Sequence, residues 1–137
     1  MSIELCAIVE ELYHGETYKC ADGVEESTVD VWHRLGTWEF GSNDALNEYL
    51  YDHTSRGWPC DSSALEDAAF KYCDEGRRWC YPSMLESALK HLKKEAVVPN
   101  SDGTVHEWLP RELEALLAAV RVMTGYGRSV RVLWYKT

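Results

Sequence analysis

The segment from Trp38 to Ser63 places the tightest constraint on how this chain can fold. It predicts a strand end, a turn at Gly41, an amphipathic helix to about His53, and a Gly/Pro loop leading into a second helix. Ser42 or Asn43 can cap the first of these helices. The side chains that repeat at helical spacing on its apolar stripe are Ala45, Leu46, Tyr49, Leu50 and His53.

The rest of the chain predicts strands towards both ends and helices between them. Residues 2–12 alternate as a strand with one buried face, residues 17–20 form its expected hairpin partner, and residues 28–35 and 37–40 are further strands. Further helices are expected at 61–74, 82–94 and 110–123, and a last strand at 130–135. The predicted class is α+β: one domain over residues 1–137, with a small, mostly antiparallel sheet and about four helices packed on it.

Charge divides the chain into an acidic and a basic part. The net charge is −9, and residues 1–75 carry 17 acidic and 4 basic side chains, whereas residues 76–137 carry 6 and 10. An acidic part this strong disfavours direct contact with nucleic acid or an anionic membrane and favours a protein partner with a basic surface. Acidity that serves solubility alone is the alternative.

The five cysteines and the absence of a signal peptide predict free thiols in a reducing, cytoplasmic environment. No apolar run approaches the roughly 18 residues of a membrane span.

One stripe of the first helix is acidic rather than apolar. Asp44, Glu48 and Asp52 follow one another at i, i+4 and i+8, a spacing at which like charges repel by a few tenths of a kcal/mol per pair (~0.2–0.5). Such a stripe can imitate the phosphate spacing of DNA and occupy a basic groove on a partner. An ordinary solvated helix face is the alternative. The full predicted partner-binding set is Asp44, Glu48, Asp52, Glu66, Asp67, Asp74 and Glu75.

Two loops pair arginine with tryptophan, at Arg56-Gly57-Trp58 and at Arg77-Arg78-Trp79. Guanidinium groups bind phosphate, and an indole ring can stack on a base, so Arg56, Trp58, Arg77 and Arg78 form a candidate pocket for a small nucleotide. Surface arginines packed over loop tryptophans are the alternative.

Metal and thiol chemistry have weaker signals. Cys60, Cys73, Cys80 and His91 are residue types that zinc prefers, but no Cys-x-x-Cys pair is present. Cys60 precedes an expected helix start, where a thiol pKa can be lowered. Buried structural cysteines and an ordinary loop explain the same residues, so no metal, cofactor or catalytic residue is predicted.

Part of the chain, roughly residues 38–135, resembles small uncharacterised proteins of tailed bacteriophages. Those proteins carry a Gly-x-Asn helix start with spaced leucines, and then a Gly-x-Pro-x-Asp-x-Ser loop. A Ser-x-Leu helix start and a Val-Arg-Val-aromatic strand come later, and are matched here more weakly by residues 83–85 and 130–134. The residues that match most clearly are Gly41, Asn43, Leu46, Leu50, Gly57, Pro59, Asp61 and Ser63.

The chain departs from that pattern at Ser42, Asp44 and Asn47, where the family prefers Arg, Tyr and Phe. The resemblance implies phage or prophage origin and no activity. By analogy, small acidic phage proteins often counter bacterial defences as anti-CRISPR or anti-restriction inhibitors.

The expected function is therefore non-enzymatic. An acidic surface would bind a basic patch on a bacterial defence or nucleic-acid-handling complex in the host cytosol, with CRISPR effectors as first candidates. One alternative is an oligomeric sponge that sequesters a cyclic nucleotide immune signal. The other is a zinc- or thiol-dependent enzyme.

Overall fold

The computed structural model describes residues 4–15, 17–27, 30–41, 44–71, 73, 76–95 and 109–136. Two short 3₁₀ helices, Ser63–Leu65 and Ala68–Phe70, lie between the fifth and sixth strands. In chain order the strands and α-helices are β1 (Leu5–Tyr13), β2 (Thr17–Lys19), β3 (Glu25–Ser27), β4 (Val31–Gly41), α1 (Asp44–His53), β5 (Ser55–Arg56), β6 (Arg78–Cys80), α2 (Ser83–Glu95), α3 (Leu109–Gly125) and β7 (Val130–Lys136).

Five of the strands form one antiparallel sheet in the order β4-β1-β7-β6-β5, and β2 pairs with β3 in a separate hairpin. The C-terminal strand is central, with Ile8 of β1 on one side of Leu133 and Trp79 of β6 on the other. The α+β class is confirmed. The predicted pairing of residues 17–20 with the first strand is wrong, because β4 and β7 occupy both edges of β1.

The α-helices pack on one face of this sheet. The helix positions predicted to be apolar are largely those that are buried, whereas His53 is exposed and its ring stacks on Tyr49, with ring centroids 4.0 Å apart. The buried residues of this core are Leu5, Ala7, Val9 and Phe40 from β1 and β4, Leu46, Leu50, Leu85, Ala88, Leu92, Leu113, Leu116, Leu117 and Val120 from the helices, and Cys80, Val130, Val132 and Trp134 from β6 and β7.

Residues 57–71, called the covering segment below, pack across the opposite face of the sheet. Ala64 and Phe70 of this segment are buried against Cys6 and Ile8 of β1 and Leu133 of β7. Strand β1 is therefore buried on both faces, whereas its alternating sequence predicted one buried face. Because the covering segment packs on this face, Cys6 and Ile8 are as well buried as Ala7 and Val9, which face the helices.

The second predicted helix, at 61–74, is wrong over its described residues. Ser62 caps the first 3₁₀ turn by accepting a hydrogen bond from Ala64 N, and Asp67 caps the second by accepting one from Ala69 N. Capping holds the Asp67 backbone extended, at φ −77° and ψ 122°, so one helix cannot run through it. Instead of about four helices, the described residues form three α-helices and these two turns.

A buried ion pair fastens the covering segment to the sheet. Arg131 Nε donates to Oε1 of the fully buried Glu10 at 2.9 Å, and Arg131 Nη1 donates to Asp61 Oδ1 at 2.9 Å. The other Glu10 oxygen accepts from the hydroxyls of Ser62, at 3.0 Å, and Ser63, at 2.8 Å. Two strands and one loop thus share a single network, in which Glu10 and Arg131 are buried and Asp61 is exposed.

No helix in the described part of the chain combines the length and apolarity needed to cross a membrane. The predicted helix cap at residues 42–43 and the region between 96 and 108 lie outside the described residues.

Candidate functional site

A cationic pocket of about 430 Å³ opens where α1 meets the β5–β6 end of the sheet. Its described lining contains four basic side chains and no carboxylate. Basic side chains gathered in one cleft focus a positive potential there, although the whole chain has a net charge of −9. The lining residues are Asn47, Tyr51, Arg56, Gly57, Gly76, Arg77, Arg78 and Lys136.

Arg78 is held in place by the end of α1. Its Nε donates to Thr54 Oγ1 at 2.6 Å and its Nη2 donates to the Thr54 carbonyl oxygen at 2.6 Å. The guanidinium carbon lies 5.0 Å from the centroid of the Tyr51 ring, within cation–π range. Arg78 belongs to β6, where the sequence predicted a loop, so a strand and a helix end both fix this cation.

Arg77 faces both the pocket and the covering segment. Its Nη2 donates to the Phe70 carbonyl oxygen at 2.6 Å, and its guanidinium carbon lies 4.4 Å from the Trp58 ring centroid. The Arg77 carbonyl oxygen accepts from Gly57 N at 2.8 Å, so both ends of the covering segment meet at the pocket.

Trp58, the aromatic residue predicted for this pocket, is not in its lining. Its Nε1 donates to the Trp134 carbonyl oxygen at 3.0 Å, and its ring packs edge-on against Phe70 and Tyr135. Of the four residues predicted for the pocket, Arg56, Arg77 and Arg78 therefore line one cavity, whereas Trp58 packs in the covering segment.

The remaining cations, Arg56 and Lys136, have no ion-pair partner within the described residues. Arg56 is exposed on β5, which pairs with β6 through Arg56 opposite Arg78. Lys136 lies at the end of β7, with its aliphatic stem against Gly76. Sequence reasoning missed Lys136 because only the order of strands brings residue 136 beside residues 56 and 78.

The predicted acidic surface is distributed over two layers of the molecule. Glu48 and Asp52 are exposed on α1, whereas Glu66 and Asp67 belong to the covering segment on the opposite face of the sheet. Asp67 accepts from Arg34 Nη1 at 2.9 Å in addition to capping its turn. Asp74, Glu75 and the side chain of Asp44 lie outside the described residues.

The four residues considered as candidate zinc ligands do not lie together in the structure. Cys80 is buried on the helix-bearing face, Cys73 packs against the core of the opposite face, and Cys60 and His91 are exposed. No group of three or more metal-binding side chains occurs in the described part of the chain. Burial raises the pKa of the Cys80 thiol to about 11, which disfavours the thiolate that zinc binds.

The thiol-enzyme alternative requires a base that activates Cys60. No histidine among the described residues hydrogen-bonds to this thiol. Burial also raises the pKa of Cys6, so the interior cysteines are poor nucleophiles at neutral pH.

Comparisons of the chain with protein-family models, with curated proteins and with solved structures give no match. The functional proposals below therefore depend on the geometry of the pocket and of the exposed charges.

Proposed function

We propose that this protein is a non-catalytic binding protein that captures a small phosphate-bearing ligand in the cationic pocket. The observation that supports it is the convergence of Arg56, Arg77, Arg78 and Lys136 on one cavity without a described carboxylate in the lining. Like charges gathered this closely repel one another, so a bound anion would relieve a cost that the unliganded protein carries.

The pocket chemistry favours phosphate over other anions of similar charge. Arginine presents several N–H donors in a planar fork that matches phosphate oxygens, and three of the four cations here are arginines. Thr54 fixes Arg78 before any ligand arrives, which lowers the ordering cost of binding. The volume, about 430 Å³, falls in the range typical of small-molecule sites.

The residues that line the cavity favour binding of a ligand over its chemical conversion. The described lining residues supply cations, one amide, one phenol and two glycines, and they include no carboxylate, imidazole or thiol. A sequestering role for a nucleotide signal, in which the ligand is held and not altered, is compatible with such a lining.

Isothermal titration calorimetry of the whole chain against inorganic pyrophosphate and a panel of cyclic nucleotides tests this proposal. We expect binding that weakens as salt is raised, and a loss of about tenfold in affinity for Arg56→Ala or Lys136→Ala. Arg111→Ala is the matched control, because Arg111 is an exposed arginine of α3 outside the pocket. Absence of binding across both pyrophosphate and the panel would contradict the proposal.

The acidic face of α1 supports a second proposal, that the protein inhibits a bacterial nucleic-acid-handling complex by occupying a basic groove. Glu48 and Asp52 are exposed and have no ion-pair partner within the described residues. Such charges cost helix stability and are available to a basic partner.

Charge reversal tests this second proposal directly. Replacing Asp44, Glu48 and Asp52 together by lysine should abolish binding to a purified CRISPR effector complex. The control replaces Glu4, Glu25 and Glu112 by lysine, which changes the net charge equally at exposed positions elsewhere. Equal binding by the two triple variants would rule out a specific role for α1.

A further inference from the structure

The cationic pocket has one wall that carries no charge, and that wall is one face of α1. Asn47 and Tyr51 both line the pocket and are four residues apart in the helix. Side chains at i and i+4 are neighbours on a helix surface, with Cβ atoms roughly 5–6 Å apart. An amide and an aromatic ring therefore stand side by side, facing the same cavity as the four cations.

Tyr51 is unusually exposed for an aromatic residue, with 70% of its surface accessible. The Arg78 guanidinium lies over its ring, 5.0 Å from the centroid, and fixes the ring at the rim of the pocket. Because the ring is already held in place, little side-chain entropy is lost when a flat ligand stacks on it. Trp58, by contrast, is committed to the core of the covering segment and is not available for stacking in the pocket.

Asn47 adds a hydrogen-bonding group of mixed character. Its amide makes no hydrogen bond to any described residue. A carboxamide offers one donor and one acceptor side by side, which matches the N6 donor and N7 acceptor of adenine. Guanine presents two acceptors on the corresponding edge, so an asparagine discriminates against it.

We infer that the ligand of this pocket is an adenine nucleotide, with its base stacked on Tyr51 and read by Asn47 and its phosphate held by Arg56, Arg78 and Lys136. This inference depends on the proposed function, because it assigns the ligand class of the same cavity. It names Tyr51 and Asn47 as the residues that determine specificity. Tyr51, and not Trp58, is the stacking residue.

Titration calorimetry with AMP, GMP and ribose 5-phosphate separates the base from the phosphate. We expect the unmodified protein to bind AMP about tenfold more tightly than ribose 5-phosphate, which is the contribution typical of one stacked base. Binding of AMP should also be tighter than binding of GMP. Ribose 5-phosphate reports on the cations alone, because it lacks the base.

Three variants assign the effects to the two residues. Tyr51→Leu should bind AMP no more tightly than ribose 5-phosphate, whereas Tyr51→Phe, which keeps the ring, should retain the tenfold difference. Asn47→Leu should lose the preference for AMP over GMP and keep the preference for AMP over ribose 5-phosphate. The affinity of each variant for AMP is compared with its own affinity for ribose 5-phosphate, because the Tyr51 ring also contacts Arg78.

The outcomes distinguish this inference from the proposal on which it depends. If ribose 5-phosphate and AMP bind equally well to the unmodified protein, the inference is overturned and phosphate capture stands. If AMP and GMP bind equally well, the assignment of adenine is overturned. If neither these ligands nor pyrophosphate binds, both the inference and the proposed function fail.

Discussion

A β-carbon placed on Gly76 would lie 2.9 Å from Cδ of Lys136. This contact is closer than real side chains tolerate, and Gly76 also has a φ of 72°, a left-handed conformation that other residues adopt only with strain. The glycine therefore gives the lysine stem a backbone surface to lie on beside the pocket.

Gly76→Ala should lower both stability and affinity for pyrophosphate. The left-handed backbone costs about 1 kcal/mol, and the flexible Lys136 stem must shift away from the added carbon, which moves its charge at the pocket. Gly57→Ala is the matched control, since Gly57 has a similar φ of 78° but nothing within 4 Å of the added carbon. Urea denaturation should show similar losses for the two variants, whereas calorimetry should show the weaker pyrophosphate binding for Gly76→Ala, and equal affinities would mean that the contact with Lys136 does not affect binding.

Thr54→Val should weaken phosphate binding without unfolding the protein. Valine keeps the shape of threonine but removes the hydroxyl that accepts from Arg78 Nε and donates to the Leu50 carbonyl oxygen. Arg78 then keeps one anchor, the Thr54 carbonyl oxygen, and loses part of its preorganisation. We expect a several-fold weaker affinity for pyrophosphate by calorimetry. Thr124→Val, at an exposed threonine of α3, should leave that affinity unchanged.

Local sequence signals predicted the α-helices well because each has a strong apolar period. Leu113, Leu116, Leu117 and Val120 are spaced for one face of a helix, and all four are buried. The helix predicted from residue 61 onwards was wrong because two helix-start signals lie close together in this segment. Its two caps, Ser62 and Asp67, are each a valid helix start, and the four residues between them leave room only for a turn.

The pocket was predictable only in part. Arg56, Arg77 and Arg78 stood out because each lies within two residues of a tryptophan in the sequence. Tyr51 and Lys136 carried no such signal, since helix packing and strand order, and not sequence spacing, bring them to the same cavity. Trp58 lies outside the lining, and the sequence did not predict this because closeness to an arginine cannot distinguish an exposed indole from one that anchors a loop.

Loss of either partner in the buried Glu10–Arg131 pair should be strongly destabilising. Glu10→Ala leaves a guanidinium that is 95% buried facing an unfilled space, and removing one member of such a pair costs about 3–5 kcal/mol. Arg131 would keep its contacts with Asp61 and the Trp32 ring, but its buried Nη2 already has no hydrogen-bond partner in the described residues.

The control for the buried pair is the exposed pair of Glu86 and Arg121 on α2 and α3. Glu86→Ala should leave the midpoint of urea denaturation unchanged, because solvent screens exposed ion pairs. Joint replacement of Glu10 and Arg131 by Leu and Met should recover part of the stability lost by Glu10→Ala. If the double variant lost as much stability as Glu10→Leu and Arg131→Met lose separately and added together, the pair would not be energetically coupled.

Stability should fall in alkaline solution, where Cys80 contributes together with Cys6 and Tyr135, whose pKa values are also raised by burial. Burial raises the pKa of the Cys80 thiol from 9.0 in the unfolded chain to about 11 in the folded one, so the folded state retains its proton more firmly. Below pH 9 both states are protonated and the full stability is present. Between pH 9 and 11 the unfolded state ionises first, and the free energy of unfolding should fall by up to about 3 kcal/mol from this group. Urea denaturation at a series of pH values should show a flatter decline for Cys80→Ala than for Cys60→Ala, an exposed thiol, and equal slopes would contradict this assignment.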